Sequence, residues 1–175
     1  MIMGDPKAFL TVPRQDAGYR PVYERVCDFS EVEQTLNESE RRKQASRCMD
    51  CGVPFCHWAC PLGNRPPEWQ DAVYRGEWKK AFDILEATNE FPEFTGRVCP
   101  ALCEKSCILN HSMEAPVTVR ENECSIIEKA FAEGFIAPRR YERNGMKVAV
   151  IGAGPSGISA AAGLNRRGYA VTVFD

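Results

Sequence analysis

Two histidines in 175 residues leave this chain nearly without the residue that most often carries protons or binds metal at neutral pH. An excess of charge is missing as well: 22 Lys and Arg stand against 24 Asp and Glu, a formal net charge of −2. That balance provides no basic footprint for DNA, RNA or an anionic membrane, so neither nucleic acid nor membrane is an expected partner. No run of ~18 apolar residues occurs, which excludes a transmembrane helix of ordinary kind. The opening MIMGDPKAFLTVPRQDAGYR holds no apolar stretch of signal-peptide length. Solenoid repeats and low-complexity tracts are absent. With 44% hydrophobic and 26% charged residues the composition is that of a globular protein, and the expectation is a soluble, cytosolic (cytoplasmic) one.

Cysteine is what the chain has in excess, with nine residues. Reducing compartments disfavour disulfides, so a thiol-rich cytosolic chain points to metal binding or redox chemistry, and an odd count argues against full pairing. Seven of the nine fall into two runs, Cys48-x2-Cys51-x4-Cys56-x3-Cys60-Pro61 and Cys99-x3-Cys103-x3-Cys107. Iron-sulfur clusters need thiolates converging from short loops, and in two-cluster ferredoxins the Pro-followed last cysteine of a run of four reaches the neighbouring cluster. The same division assigns Cys48, Cys51 and Cys56 to one 4Fe-4S cluster and Cys60 to the other. Two clusters call for about eight ligands, one more than the two runs contain. The remaining ligand is sought among Cys27, His111, Glu123 and Cys124, of which the last two are adjacent on an expected helix and point about 100° apart. A pair of structural zinc sites is the competing expectation. Zinc folds usually show two separated Cys-x2-Cys pairs or paired His, whereas only one such pair exists here, and spacing favours iron-sulfur. Cys27 stands outside both runs and reads as a small buried hydrophobe.

Residues 1–30 mix Pro, Gly and aromatics without periodicity and are expected to form an extended arm. Helix formers dominate 31–49, with Val32, Leu36, Ala45 and Met49 as a buried stripe and the run Glu38, Glu40, Arg41, Arg42, Lys43 as a solvated face. Pro66 and Pro67 open a helix pair over 68–88 that breaks near Gly76, anchored by Trp69, Val73, Trp78, Phe82 and Leu85. The stretches 48–61 and 91–109 are expected as cysteine loops. A helix over 122–135 turns Ile126, Ile127, Ala130 and Phe131 inward and ends at Gly134. Residues 138–145 read as a linker whose basic residues are solvated. The period then changes to a strand over 147–151, a glycine-opened helix over 152–167 and a second strand over 170–175.

The turn between that first strand and its helix reads Gly152-Ala153-Gly154-Pro155-Ser156-Gly157, a G-x-G-x-x-G. In such a turn the first glycine permits the tight bend, the second the close approach of a pyrophosphate, and the third the packing of helix on strand. Amides at the helix start hold the phosphates. Asp175 lies 21 residues past Gly154, where an acid that bonds a ribose hydroxyl is expected. The motif by itself does not separate FAD from NAD(P). A complete Rossmann domain needs further parallel strands, so the chain is expected to be a piece of a longer protein.

Several motifs together carry a family resemblance: Gly4-Asp5-Pro6-Lys7-Ala8-Phe9-Leu10, the run from Cys48 to Pro61, Thr95-Gly96-Arg97-Val98-Cys99-Pro100, and Gly152 to Gly157. In that order they resemble the small (beta) subunits of bacterial NADPH-dependent glutamate synthases. The wider superfamily includes the amino-terminal half of dihydropyrimidine dehydrogenase and the large subunit of NADH-dependent ferredoxin:NADP oxidoreductase. The resemblance implies a mainly α fold: an α-helical, ferredoxin-like two-cluster domain over 1–140, followed from 146 to 175 by the first β-α-β unit of a truncated Rossmann-type FAD domain. It implies that Cys48, Cys51, Cys56 and Cys107 hold one 4Fe-4S cluster and that Cys60, Cys99 and Cys103 hold the other. It places the eighth ligand, a side-chain oxygen, at Glu123, with Cys124 leaving that assignment open. By resemblance, electrons pass from NADPH, bound in a part beyond residue 175, through FAD and the clusters to a large (alpha) subunit that makes glutamate from glutamine and 2-oxoglutarate. These residues alone are then expected to lack NADPH oxidation and to hold FAD weakly. Two other expectations remain: the same architecture feeding another acceptor, and a zinc-stabilised module that docks a partner subunit.

Overall fold

The computed structural model describes Asp5 and residues 7–175. Of the Gly4 to Leu10 motif, Gly4 and Pro6 lie outside the described residues. Helices dominate, in the order α1 (Ala8–Thr11), α2 (Val22–Arg25), α3 (Glu38–Ser46), α4 (Phe55–Ala59), α5 (Pro66–Arg75), α6 (Trp78–Glu86), α7 (Pro92–Val98), α8 (Leu102–Lys105), α9 (Ile108–Met113) and α10 (Val119–Ala132). A β-α-β segment follows: β1 (Lys147–Ile151), α11 (Pro155–Arg166) and β2 (Ala170–Phe174). Two compact units result, the first running to Phe135 and the second from Ile136 to Asp175. This is the mainly α class expected, with one parallel strand pair. Among the described residues no helix is long and apolar enough to cross a membrane.

In the first unit, α10 packs against α3, α5, α6, α7 and α8. Ile126, Ile127 and Ala130 of α10 are buried with Trp69, Val73, Phe82 and Leu85 of the α5–α6 pair. Each large apolar side chain so buried contributes about 1.5–3 kcal/mol. Gly76, at φ 76°, caps α5 in the left-handed conformation that a side chain disfavours, and the chain turns there into α6. Phe131 departs from expectation: it is 53% exposed, on the last turn of α10.

The region before the first cysteine run differs most from the sequence reading. The helix expected over 31–49 begins only at Glu38, where Asn37 and Glu40 form a reciprocal capping box. Val32 therefore lies outside the helix and stays exposed. The buried face of α3 is polar: Arg41, Gln44 and Ser46 are buried beside Ala45, and Arg47 follows them inward. Arg41, expected on a solvated face, is paired with Glu121 at 2.9 Å and donates to Asn122 Oδ1 at 3.1 Å. Asn122 in turn donates to Gln70, joining α3, α10 and α5 through a polar seam. The arm also carries more order than expected. Besides α1 and α2 it forms an isolated antiparallel bridge between Tyr19 and Glu33, and Gln44 Nε2 donates to the Pro13 carbonyl at 3.1 Å.

In the second unit β1 and β2 pair in parallel, from Lys147 opposite Ala170 to Ile151 opposite Phe174. Arg143, expected as a solvated linker residue, donates to Asn165 Oδ1 at 2.7 Å and to the Tyr169 carbonyl at 2.6 Å. Ile151 and Phe174 are largely exposed, as befits a sheet of only two strands.

Candidate metal and nucleotide sites

The stretches expected as plain cysteine loops are broken into short helices. Cys56 lies on α4, Cys103 on α8, and α4 packs against α8. That contact brings sequence-distant thiols together. Cys48, Cys51, Cys56, Cys103 and Cys107 line one apolar cavity of about 30 Å³, little more than the space of a water molecule. All nine cysteines are free thiols.

Electrostatic neighbours divide the thiols into two groups. Burial pushes the Cys48 thiol up to about 12, with Cys56, Cys107 and Cys51 adding to the rise. Cys56 rises to about 12 through burial and then through Cys107 and Cys51. Cys51 is raised by burial and next by Cys107. The Cys103 thiol is raised by burial first, then by Glu104, Cys60, Cys99 and Glu123. By these neighbours one set is Cys48, Cys51, Cys56 and Cys107, and the other is Cys60, Cys99 and Cys103, with Cys103 also lining the cavity of the first. Raised thiols in a dry pocket must lose protons to bind a metal, so loading would be coupled to proton release.

Glu123 belongs with the second set. It is 6% exposed, and burial pushes its carboxyl up to about 7 against the lowering bonds from Thr95 and Asn89. Both bonds end on Oε1: Asn89 Nδ2 donates at 3.1 Å and the Thr95 hydroxyl also donates. Oε2 takes neither. Cys124 faces elsewhere. A Cβ on Gly96 would stand 2.9 Å from both Cα and N of Cys124, so Cys124 sits at the closest approach of α7 to α10. Its charged neighbours are Arg97, Glu128, Glu31 and Glu33 rather than any thiol. Cys27, expected to be buried, is exposed, its sulfur directed at the Tyr23 carbonyl. His111, on the last turn of α9, is exposed.

The donor chemistry fits iron-sulfur clusters: sulfur donors in two sets, with one buried carboxylate in place of an eighth thiol. Among the described residues no three His, Cys, Asp or Glu side chains converge tightly enough to hold a single metal ion. Backbone geometry accompanies both runs, with Asp50 at φ 49° between Cys48 and Cys51 and Ala101 at φ 53° between Cys99 and Cys103. A non-glycine residue held in this region costs about 1–2 kcal/mol. Asp50 also turns its amide toward the Cys48 sulfur. Sequence reasoning did not find Asn89 and Thr95; the Thr95-Gly96 pair before Cys99 was the available signal.

In the second unit the turn from β1 into α11 has the glycine geometry of a phosphate cradle. Gly152 lies at φ 100°. A Cβ on Gly157 would stand 1.9 Å from the Gly152 carbonyl oxygen, so only glycine lets α11 start this close to β1. Nothing stands within 4 Å of a Cβ built on Gly154, leaving its approach open, and Pro155 and Ser156 form the first turn of α11. The Ala153 amide donates to Asp175 Oδ1 at 3.0 Å, which holds the acid at the end of β2 against the cradle.

Comparison with known proteins gives two family matches. Residues 25–135 match the family described as dihydropyrimidine dehydrogenase domain II, 4Fe-4S cluster, and residues 150–175 match an NAD(P)-binding Rossmann-like domain. Among similar proteins, a glutamate synthase [NADPH] small chain of Mycobacterium tuberculosis is 50% identical over 99% of this chain and 36% of its own length. The Bacillus subtilis protein of that name is 45% identical over 99% of this chain and 37% of its own. A glutamate synthase [NADH] of Schizosaccharomyces pombe is 45% identical over 97% of this chain and 8% of its own. The chain spans a little over a third of the length of the bacterial relatives it matches.

Proposed function

The chain belongs to the dihydropyrimidine dehydrogenase domain II 4Fe-4S cluster family, and from that premise we propose that it is the electron-carrying part of a cytoplasmic NADPH-dependent glutamate synthase small subunit. When bound, FAD would turn a hydride from NADPH into single electrons, and two 4Fe-4S clusters would relay them to a large subunit that forms glutamate from glutamine and 2-oxoglutarate. The observation that carries the reading is the partition of seven thiols and one buried carboxylate into two sets. Cys48, Cys51, Cys56 and Cys107 would hold one cluster. Cys60, Cys99, Cys103 and Glu123 would hold the other, with Glu123 offering Oε2 because Thr95 and Asn89 occupy Oε1.

This chain's own residues bind, orient and exclude water. The apolar lining around the first set keeps solvent away and raises the cost of charge there. Asn89 and Thr95 fix the carboxylate's rotamer in the way that outer-shell partners orient metal ligands. Gly152, Ala153, Gly154, Pro155, Ser156 and Gly157 would cradle the FAD pyrophosphate on the amides that open α11, and Asp175 would meet the ribose of the same cofactor. NADPH itself would bind in residues beyond this chain.

The test is anaerobic iron, sulfide and flavin analysis of the full-length small subunit, with EPR of the reduced protein. About eight iron and eight sulfide per chain with two cluster signals are expected. Zinc in place of iron, with no sulfide after anaerobic reconstitution, would overturn the proposal.

A further inference from the structure

Arg47 follows α3 and immediately precedes Cys48. It is 1% exposed, as is Arg41, yet the two guanidinium groups are compensated differently. Arg41 meets the Glu121 carboxylate at 2.9 Å. Arg47 directs its donors at neutral oxygens: Nε at the Val12 carbonyl (3.0 Å), Nη1 at that of Pro116 (2.8 Å) and Nη2 at that of Ala115 (2.7 Å). The neighbouring cation, Arg14, has its own carboxylates, Asp16 at 2.6 Å and Glu104 at 3.0 Å. Arg47 therefore carries a full positive charge, surrounded by carbonyl dipoles, into the interior one residue before Cys48 of the first thiol set. Burial and then the Arg14 cation lower its pKa, while charge on Cys107 and then on Asp16 raises it; a guanidinium stays protonated throughout. Arg47 and Arg14 share the Pro116 carbonyl, and among the described residues no carboxylate touches Arg47 directly; a buried cation so placed is costly and gains from negative charge placed nearby.

We infer that Arg47 is the counter-cation of the centre proposed for Cys48, Cys51, Cys56 and Cys107, and that it raises the reduction potential of that centre. The inference rests on the two-cluster reading. One-electron reduction, with reduced flavin as the donor, adds one negative charge to the centre; no bond forms or breaks and Arg47 keeps its proton. A fixed positive charge in a low-dielectric interior lowers the energy of the more negative state, and net charge is one of the levers on cluster potential. The second set has different surroundings. The carboxylates of Glu104 and Glu123 act on Cys103, so that centre serves as the internal reference. Arg47 thus acts as a positioning and potential-setting residue.

The experiment is an EPR-monitored redox titration of the full-length small subunit, anaerobic, as wild type, Arg47→Gln and Arg47→Lys. Arg47→Gln is expected to weaken reduction of one cluster at least tenfold in equilibrium constant, about 59 mV for a one-electron couple, and to leave the other within threefold. Arg47→Lys, which keeps the charge and loses the guanidinium fork, is expected to stay within threefold of wild type at both. Two clusters of unmoved potential in Arg47→Gln, or equal shifts in both, overturn the inference alone; a wild type without clusters overturns the reading beneath it. If Arg47→Gln assembles no clusters, Arg47→Lys decides: a near-wild-type potential supports the role of charge, and a tenfold shift overturns it.

Discussion

Gly96 sets how closely α7 approaches α10, and through that approach it determines which of two adjacent residues turns toward the second thiol set. The missing side chain lets Cys124 sit against α7, and one helical step of about 100° then places Glu123 toward Thr95, Asn89 and Cys103. Gly96→Ala must push backbone against backbone, and it is expected to destabilise the protein by about 1–3 kcal/mol in urea unfolding. The same geometry separates the two candidates for the eighth ligand. Cys124→Ala is expected to lose a little stability and keep its full iron content. Glu123→Ala leaves the Asn89 and Thr95 donors without their acceptor and is expected to alter or remove the EPR signal of one cluster. An unchanged pair of cluster signals in Glu123→Ala would remove the carboxylate from the ligand set. Cys27, on the arm, is exposed, and Cys27→Ala is expected to keep both cluster signals.

From the end of the arm to the first residue of α3, none of residues 31–38 is buried, and besides the Tyr19–Glu33 bridge the segment is held by charge. Glu31 pairs with Arg97 of α7, Glu33 with Arg120 of α10 at 3.0 Å, and Glu38 with Lys129 of α10 at 3.0 Å. Exposed pairs of this kind contribute little singly and weaken with salt. Lys129, followed by Trp78, holds the Glu38 carboxyl below its ordinary value of 4.5. A depressed carboxylate contributes stability that is present above its unfolded value and lost as pH falls through its folded one. Protection factors of the amides in 31–38, that is, exchange corrected for its intrinsic pH dependence, are therefore expected to be high at neutral pH, to fall below pH ~4.5, and to fall at neutral pH in high salt; salt-independent protection would show that these pairs do not hold the segment. In the second unit, a Cβ on Gly163 of α11 would make only an ordinary 3.7 Å contact with Arg167. Gly163→Ala is expected to stabilise that helix by about 0.5–1 kcal/mol in thermal unfolding.

At the scale of the molecule, the two units differ in what metal would do for them. In the first, thiols from α4, α8 and the segments beside them gather on one pocket, and because a site of this kind is assembled only on folding, cluster binding would supply folding free energy. Chelation and oxidation of the clusters are expected to lower the melting temperature of residues 1–135 in the full subunit while the dinucleotide unit keeps its own transition; coincident loss of both would show that the units unfold together. The sequence by itself determined a good deal: two cysteine runs whose spacing is covalent and local, a glycine turn whose three positions each answer a steric demand, and an α5–α6 pair broken where Gly76 adopts φ 76°. Its reach ended where burial was polar, since periodicity registers apolar side chains and had no means of seeing Arg41, Arg47 and Asn122 turned inward. Only the tertiary structure decided that the buried face of α3 is a polar seam, that Cys107 joins Cys48, Cys51 and Cys56 as an electrostatic neighbour, and that Glu123 rather than Cys124 faces Cys103. Those outcomes depend on which helices touch and how closely, and the contact of α7 with α10 across Gly96 joins residues too far apart in the chain for any local pattern to register.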